Sequence, residues 1–349
     1  MFPTLTCLLF ATLSLLLAAA PGFGDSLSRA AIEARLDALQ NMQADYQYRI
    51  DHDEDPALPT PPSARRIDRQ RTELGRASFS FLSGLARMET ITDPATLAYY
   101  KDRFGMNVVA RELLIVGRDG RVDSINQQAT GPNGKLQCNG GISNFRRFRE
   151  EWTLDLALGL RLYRDSRWLT AHAIESAQEI SSADPNIVAL RITNLGEPNT
   201  IHDLQFDKRL LDALVYYRCT FGPGTDSYEE ITNSNFVRQG NVFLPMHIVR
   251  RGRYIDTSGN PRHPLTYTLT IKSYHLGDAS NNLAAYQMAW PANHKIYDSR
   301  VKQVIDVGPT TRPLTDDDIR AQLAQNEQTR QDLLDTAQQR INEVLGTQP

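Results

Sequence analysis

The chain is poor in the residues that carry most recognisable chemistry. Its 349 residues include three cysteines and seven histidines, and no CxxC, HxH or HExxH spacing gathers them into a zinc site. No G-x-S-x-G elbow occurs: Gly141-Ile142-Ser143-Asn144-Phe145 lacks the second glycine that would present a nucleophile on a strained turn. Gly131-Pro132-Asn133-Gly134-Lys135 is too short for a phosphate loop, and Leu136 stands where a hydroxyl should ligand magnesium. Gly222-Pro223-Gly224 lacks the third glycine and following helix of a dinucleotide fingerprint. In the acidic run Asp51 to Asp55, oxygens alternate as calcium would need. Pro56 and Pro62, however, occupy the glycine and glutamate positions of an EF-hand loop. An excess of one charge is also missing. With 38 basic and 41 acidic residues, dispersed along the chain, there is no footprint for nucleic acid or an anionic membrane surface. Carboxylates are too numerous for an acid/base pair to stand out from surface charge. The expectation is a non-enzymatic protein with no cofactor and no metal site, a hydrolase being disfavoured by the absent nucleophile motifs.

What is present begins with a leader. From Leu5 to Ala20 the chain is apolar or small and uncharged, then breaks at Pro21-Gly22-Phe23-Gly24 and turns polar at Asp25. This is the pattern of a secretory signal, with cleavage expected after Gly24 because Pro21 blocks a cut after Ala20. The rival, a retained anchor helix, is short of the roughly 20 residues needed to span a bilayer. Cys7 lies too early for lipidation. The expected location is therefore secreted, periplasmic or envelope-associated. Cys138 and Cys219 remain in the mature chain. An oxidising compartment lets them close one long-range disulfide, and the alternative is two small buried side chains.

Ser26 can cap a helix with Leu27, Ile32, Leu36, Leu39 and Met42 at helical spacing. The period then changes to two: Tyr46, Tyr48 and Ile50 alternate with polar neighbours, as in a half-buried strand. After a proline-rich loop over 52–62 and a basic stretch, the alternation recurs. It is read in Ala77, Phe79 and Phe81, over 85–91, and through Val109, Leu113 and Ile115 to a hairpin at Asp119-Gly120. It continues over 187–193, 200–206, 214–221 and 228–237, on both sides of Gln239-Gly240-Asn241, and in Leu265, Tyr267, Leu269 and Ile271. About ten strands with short turns imply a large antiparallel sheet. A helical insertion over about 145–180, with Phe148, Trp152, Leu156 and Trp168, interrupts it. Thr315 caps a last helix that opens on Asp316-Asp317-Asp318 and should stop at Gly346.

A set of aromatic residues falls on strand-like segments: Tyr46, Tyr48, Phe79, Phe81, Tyr216, Phe243, Tyr267 and Trp290. They line an apolar cavity if the helices stand off the sheet, or form ordinary core if they do not. The candidate lining residues are Tyr46, Tyr48, Phe79, Phe81, Trp152, Tyr267, Leu269 and Ile271.

Several segments share a pattern. They are the opening helix running into Tyr46-Gln47-Tyr48, the strand Ala86-Arg87-Met88-Glu89, and the hairpin Leu114 to Gly120. The pair Tyr228 to Phe236 with Val242-Phe243-Leu244-Pro245, and the close Pro291 to Val307 with Tyr297-Asp298-Ser299-Arg300-Val301, belong with them. Over residues 26–308 this order resembles the LolA-like and LppX-like superfamily of bacterial envelope proteins. The resemblance implies an incomplete barrel closed by helices and holding a hydrophobic ligand such as an acyl chain. The chain departs from a simple carrier in its greater length and in the helix after Thr315, and no carrier docking residue maps onto it. The expected architecture is α+β: a signal over 1–24 and a curved antiparallel sheet over 25–310 with helices on its concave face. A C-terminal helix over 311–349 completes it. The expected function is binding or sensing of a lipid or other apolar small molecule. The alternative is a structural interaction protein with a solid core, docking a protein partner through the last helix.

Overall fold

The computed structural model of the chain describes residues 35, 37–39, 41–52, 71–82, 84–105, 107–117, 119–130, 135–144, 153–154, 157–158, 177–193, 199–221, 227–253, 264–277 and 283–346. Antiparallel sheet dominates them, and a long helix closes the chain. In chain order the strands are β1 (Asn41–His52), β2 (Arg71–Leu82), β3 (Leu85–Thr92), β4 (Val109–Val116), β5 (Val122–Thr130) and β6 (Lys135–Ser143). They continue as β7 (Gln178–Ile180), β8 (Ile187–Thr193), β9 (Ile201–Asp207), β10 (Ala213–Phe221), β11 (Ser227–Gln239) and β12 (Val242–Arg253). The last are β13 (Leu265–Leu276), β14 (Lys295–Asp298) and β15 (Gln303–Asp306), and the two complete helices are α1 (Pro94–Phe104) and α2 (Asp316–Leu345).

The chain divides into two compact units, one of residues 1–74 and 148–277, the other of residues 75–147 and 278–349. In the first, the strand order is β1-β13-β12-β11-β10-β9-β8-β7. Period-two alternation holds along β1, where Met42, Ala44, Tyr46, Tyr48 and Ile50 are buried and their neighbours face outward. Met42 was expected at the end of the opening helix. It lies instead on β1, because its spacing to Ala44 and Tyr46 fits the strand period better than the helical one. The β11–β12 hairpin turns at Gly240, whose φ of +58° is the left-handed conformation that glycine adopts without a Cβ clash.

The second unit holds most of β2, then β3, β4, β5 and β6 paired in succession; β14 joins β6 in parallel and β15 pairs with β14. Its core gathers Ile115, Ile125, Ile142, Met288, Trp290, Ile296, Ile305 and Ile319. Close packing here needs Gly140: a Cβ at that position would stand 2.6 Å from Trp290 and 2.8 Å from Ile296. Helix α1 was not anticipated. Asp93 accepts from the Ala95 amide, Pro94 opens the helix and Gly105 closes it in the left-handed region. Helix α2 has the expected bounds. Thr315 and Asp318 form a capping box, and Arg121 and Arg300 both reach Asp316 at 3.0 Å. Its first turns pack on the core of this unit through Ile319 and Leu323. From Ala324 to Ile341 every residue is exposed.

Candidate functional site

Strand register builds the inner face of the first unit row by row. Leu204, Tyr217, Ile231, Arg250, Tyr267 and Ile50 are successive cross-strand neighbours from β9 to β1. Ile248, Leu269 and Tyr48 form the next row, and Ile271 pairs with Tyr46. Five of the candidate lining residues therefore meet on one buried face: Tyr46, Tyr48, Tyr267, Leu269 and Ile271. Phe79 and Phe81 are buried too, but on β2 in the second unit. Trp152 lies outside the described residues. Phe243 and Tyr216 are only partly buried, and Trp290 belongs to the core of the second unit.

The same face is not uniformly apolar. Glu229 and Arg250 form an ion pair at 2.5 Å, each with a side chain only 5% exposed. The Arg250 guanidinium lies over the Tyr267 ring at 5.2 Å and reaches Thr153 Oγ1 at 3.3 Å. Asn233 donates to the carbonyls of Ala157 (2.6 Å) and Leu214 (2.8 Å). These contacts fasten the helical residues Thr153, Leu154, Ala157 and Leu158 onto the sheet. Nearby, His202 Nδ1 lies 3.2 Å from the Tyr217 hydroxyl, and its Nε2 lies 3.9 Å from the buried Cys219 thiol. Cys138, its proposed disulfide partner, lies on β6 of the second unit, and its side chain is outside the described residues. Among the described residues, no three His, Cys, Asp or Glu side chains gather as a metal site.

An open pocket among the described residues of this unit lies away from that face. With a volume of about 930 Å³, it opens where the approach to β1, the turn after β9, the β11–β12 turn and the end of β13 come together. Leu211, Val242, Phe243 and Leu276 give it an apolar side, and Arg35, Asp37, Asp212 and Arg238 a charged one. None of the residues chosen as cavity lining borders it, although Phe243 of the wider aromatic set does. Arg35 Nη1 donates to the Asp212 carbonyl at 3.1 Å, while its Nε and Nη2 are buried without an acceptor. Burial pulls the guanidinium down to about 10, against the opposing pull of Tyr274 and Asp212. Burial pushes the Asp212 carboxyl up, with Lys208 and Arg35 drawing it back. Arg35 was missed in the sequence because it belongs to the helical approach to β1. Nothing in its local pattern brings it beside a turn 177 residues away.

No family model matches the chain, and no curated protein matches it. Among solved structures, the crystal structure of MucB in complex with MucA(peri) aligns at 10% identity, covering 72% of this chain and 100% of that one. Its TM-score is 0.09, which carries no argument about fold or function.

Proposed function

We propose that the chain is an exported envelope protein, periplasmic or secreted, that binds or senses a lipid or other apolar ligand without chemically altering it. The observation that carries this reading is the pocket of about 930 Å³ in the first unit, a size within the usual span of small-molecule clefts. Its apolar side suits a hydrocarbon body. A LolA-like incomplete barrel, with helices on the concave face, is the architecture that goes with this reading. The helical residues tied to the inner face by Asn233 and Arg250 support it. Native mass spectrometry of protein purified from its own envelope tests the reading, paired with titration of a fluorescent fatty acid. A lipid-sized mass released on activation, with saturable uptake by the emptied protein, is expected. A ligand-free mass with no uptake overturns it.

A second reading, a structural protein that docks a partner, is favoured by α2. Leu333, Leu334 and Ile341 are 66%, 53% and 50% exposed on a helix whose distal half packs on nothing among the described residues. Deleting residues 324–349 separates the two. Ligand uptake survives the deletion under the first reading, whereas under the second there is no uptake to lose.

A further inference from the structure

Donors and acceptors around the pocket are out of balance. Among the described residues, the partly buried Arg35 donates to one acceptor, the Asp212 carbonyl, while its Nε and Nη2 atoms are buried with none. A buried cationic donor without an acceptor is costly, and a water, an ion or a ligand can supply the missing oxygen. The Asp212 carbonyl is itself a strained partner. Leu211 and Asp212 are consecutive non-glycine residues in the left-handed region, at φ of 51° and 57°, and Leu211 is 50% exposed at the rim. Leucine adopts that conformation against a steric penalty, so the turn beside Arg35 carries backbone strain. A second guanidinium, Arg238, stands on the wall formed by the β11–β12 turn, where its Nε donates to the Gly240 carbonyl at 3.0 Å. Its side chain extends from an exposed position. The rest of the lining is mixed: Leu211, Val242, Phe243 and Leu276 offer hydrocarbon surface, and Asp37 and Asp212 add two carboxylates that an anionic group has to avoid.

We propose that this pocket seats the oxyanion head group, carboxylate or phosphate, of an amphiphile, with Arg35 as its main partner, Arg238 as its second and the apolar wall against its chain. A planar guanidinium gives two parallel donors to such a group, and a desolvated one gives them at greater strength than an exposed one. The proposal rests on the reading that the first unit binds an apolar ligand, and it adds the chemistry of that ligand's polar end.

Calorimetric titration of the full chain with dodecanoate, dodecyl phosphate and chain-matched dodecanol tests it, with acetate and inorganic phosphate as free-anion controls. The two anionic amphiphiles should bind about tenfold or more tightly than dodecanol, as a charge-assisted pair would give. Arg35→Gln should remove most of the preference for dodecanoate over dodecanol and leave dodecanol unchanged. Equal binding of dodecanoate and dodecanol overturns the head-group proposal and leaves the apolar-ligand reading standing. Binding of none of the three overturns both. Inorganic phosphate binding as tightly as dodecyl phosphate makes this a free-anion site and overturns the amphiphile. If Arg35→Gln does not fold, Arg238→Gln at the exposed turn should weaken dodecanoate alone. The ratio of dodecanoate to dodecanol affinity in the unaltered chain decides the matter without any variant.

Discussion

Both units bury charge, but in different settings. In the second, an apolar cluster packs Trp290 so tightly that Gly140 has no room for a Cβ, and the fully buried Asp298 pairs with Arg300. In the first, the inner face mixes tyrosines and aliphatic residues with a buried ion pair, a buried asparagine and a histidine. An apolar jigsaw gives stability by close packing, while buried polar groups cost stability unless every partner is in place. On the inner face of the first unit, such contacts hold the covering helical residues. The open pocket belongs to that same unit.

Substitutions sharpen this contrast. The largest effect is expected for Glu229→Gln or Arg250→Met. Each removes one half of the buried ion pair, at a cost of about 3–5 kcal/mol in a denaturation curve. The paired replacement Glu229→Leu with Arg250→Met should recover most of that loss. A double variant as unstable as the singles would mean that the pair does more than neutralise itself. In the second unit, Gly140→Ala should cost about 1–3 kcal/mol by overpacking against Trp290 and Ile296. A neutral result would contradict the tight core. A smaller effect, about 1 kcal/mol, is expected for Thr315→Ala, which removes the cap of α2.

The same cap gives a pH dependence. Arg312 and the Thr315 hydroxyl and amide hold the Asp318 carboxyl well below its ordinary 3.8. Its contribution is complete above about pH 4 and is lost as the pH falls below that toward the depressed value. Helicity measured by circular dichroism should therefore drop on acidification, and Asp318→Asn should flatten that drop. The smallest effect belongs to the distal helix: Leu333→Gln should change stability by less than about 0.5 kcal/mol, since the side chain packs on nothing among the described residues.

Local periodicity made much of the fold legible. The strand carrying Tyr46, Tyr48 and Ile50, the hairpin at Gly240 and the capped helix after Thr315 all follow from spacing and turn chemistry over a few residues. Helix α1 was equally local, signalled by Asp93-Pro94 and Gly105, yet its weak amphipathic pattern between two strands hid it. The inward polar residues were harder to see. Glu229 and Asn233 share a phase with the buried Ile231, but a short run with one apolar residue among polar ones looks like a solvated strand. The pocket was not legible at all. It is assembled from turns and strand ends distant in sequence, and its charged residue Arg35 has meaning only beside Asp212. Aromatic residues on strands drew attention to the inner face, whereas the pocket gathers strand ends and turns that no single periodic pattern marks.

The most direct test of the account is uptake of a fluorescent fatty acid by the full chain, compared between the unaltered protein, Leu269→Trp on the inner face and Val242→Trp at the pocket. The account predicts saturable binding that Val242→Trp abolishes. Leu269→Trp should keep that binding and lose about 1–3 kcal/mol of stability to overpacking. Binding lost with Leu269→Trp but kept with Val242→Trp would move the site to the inner face, and no binding by any of the three would contradict the account outright.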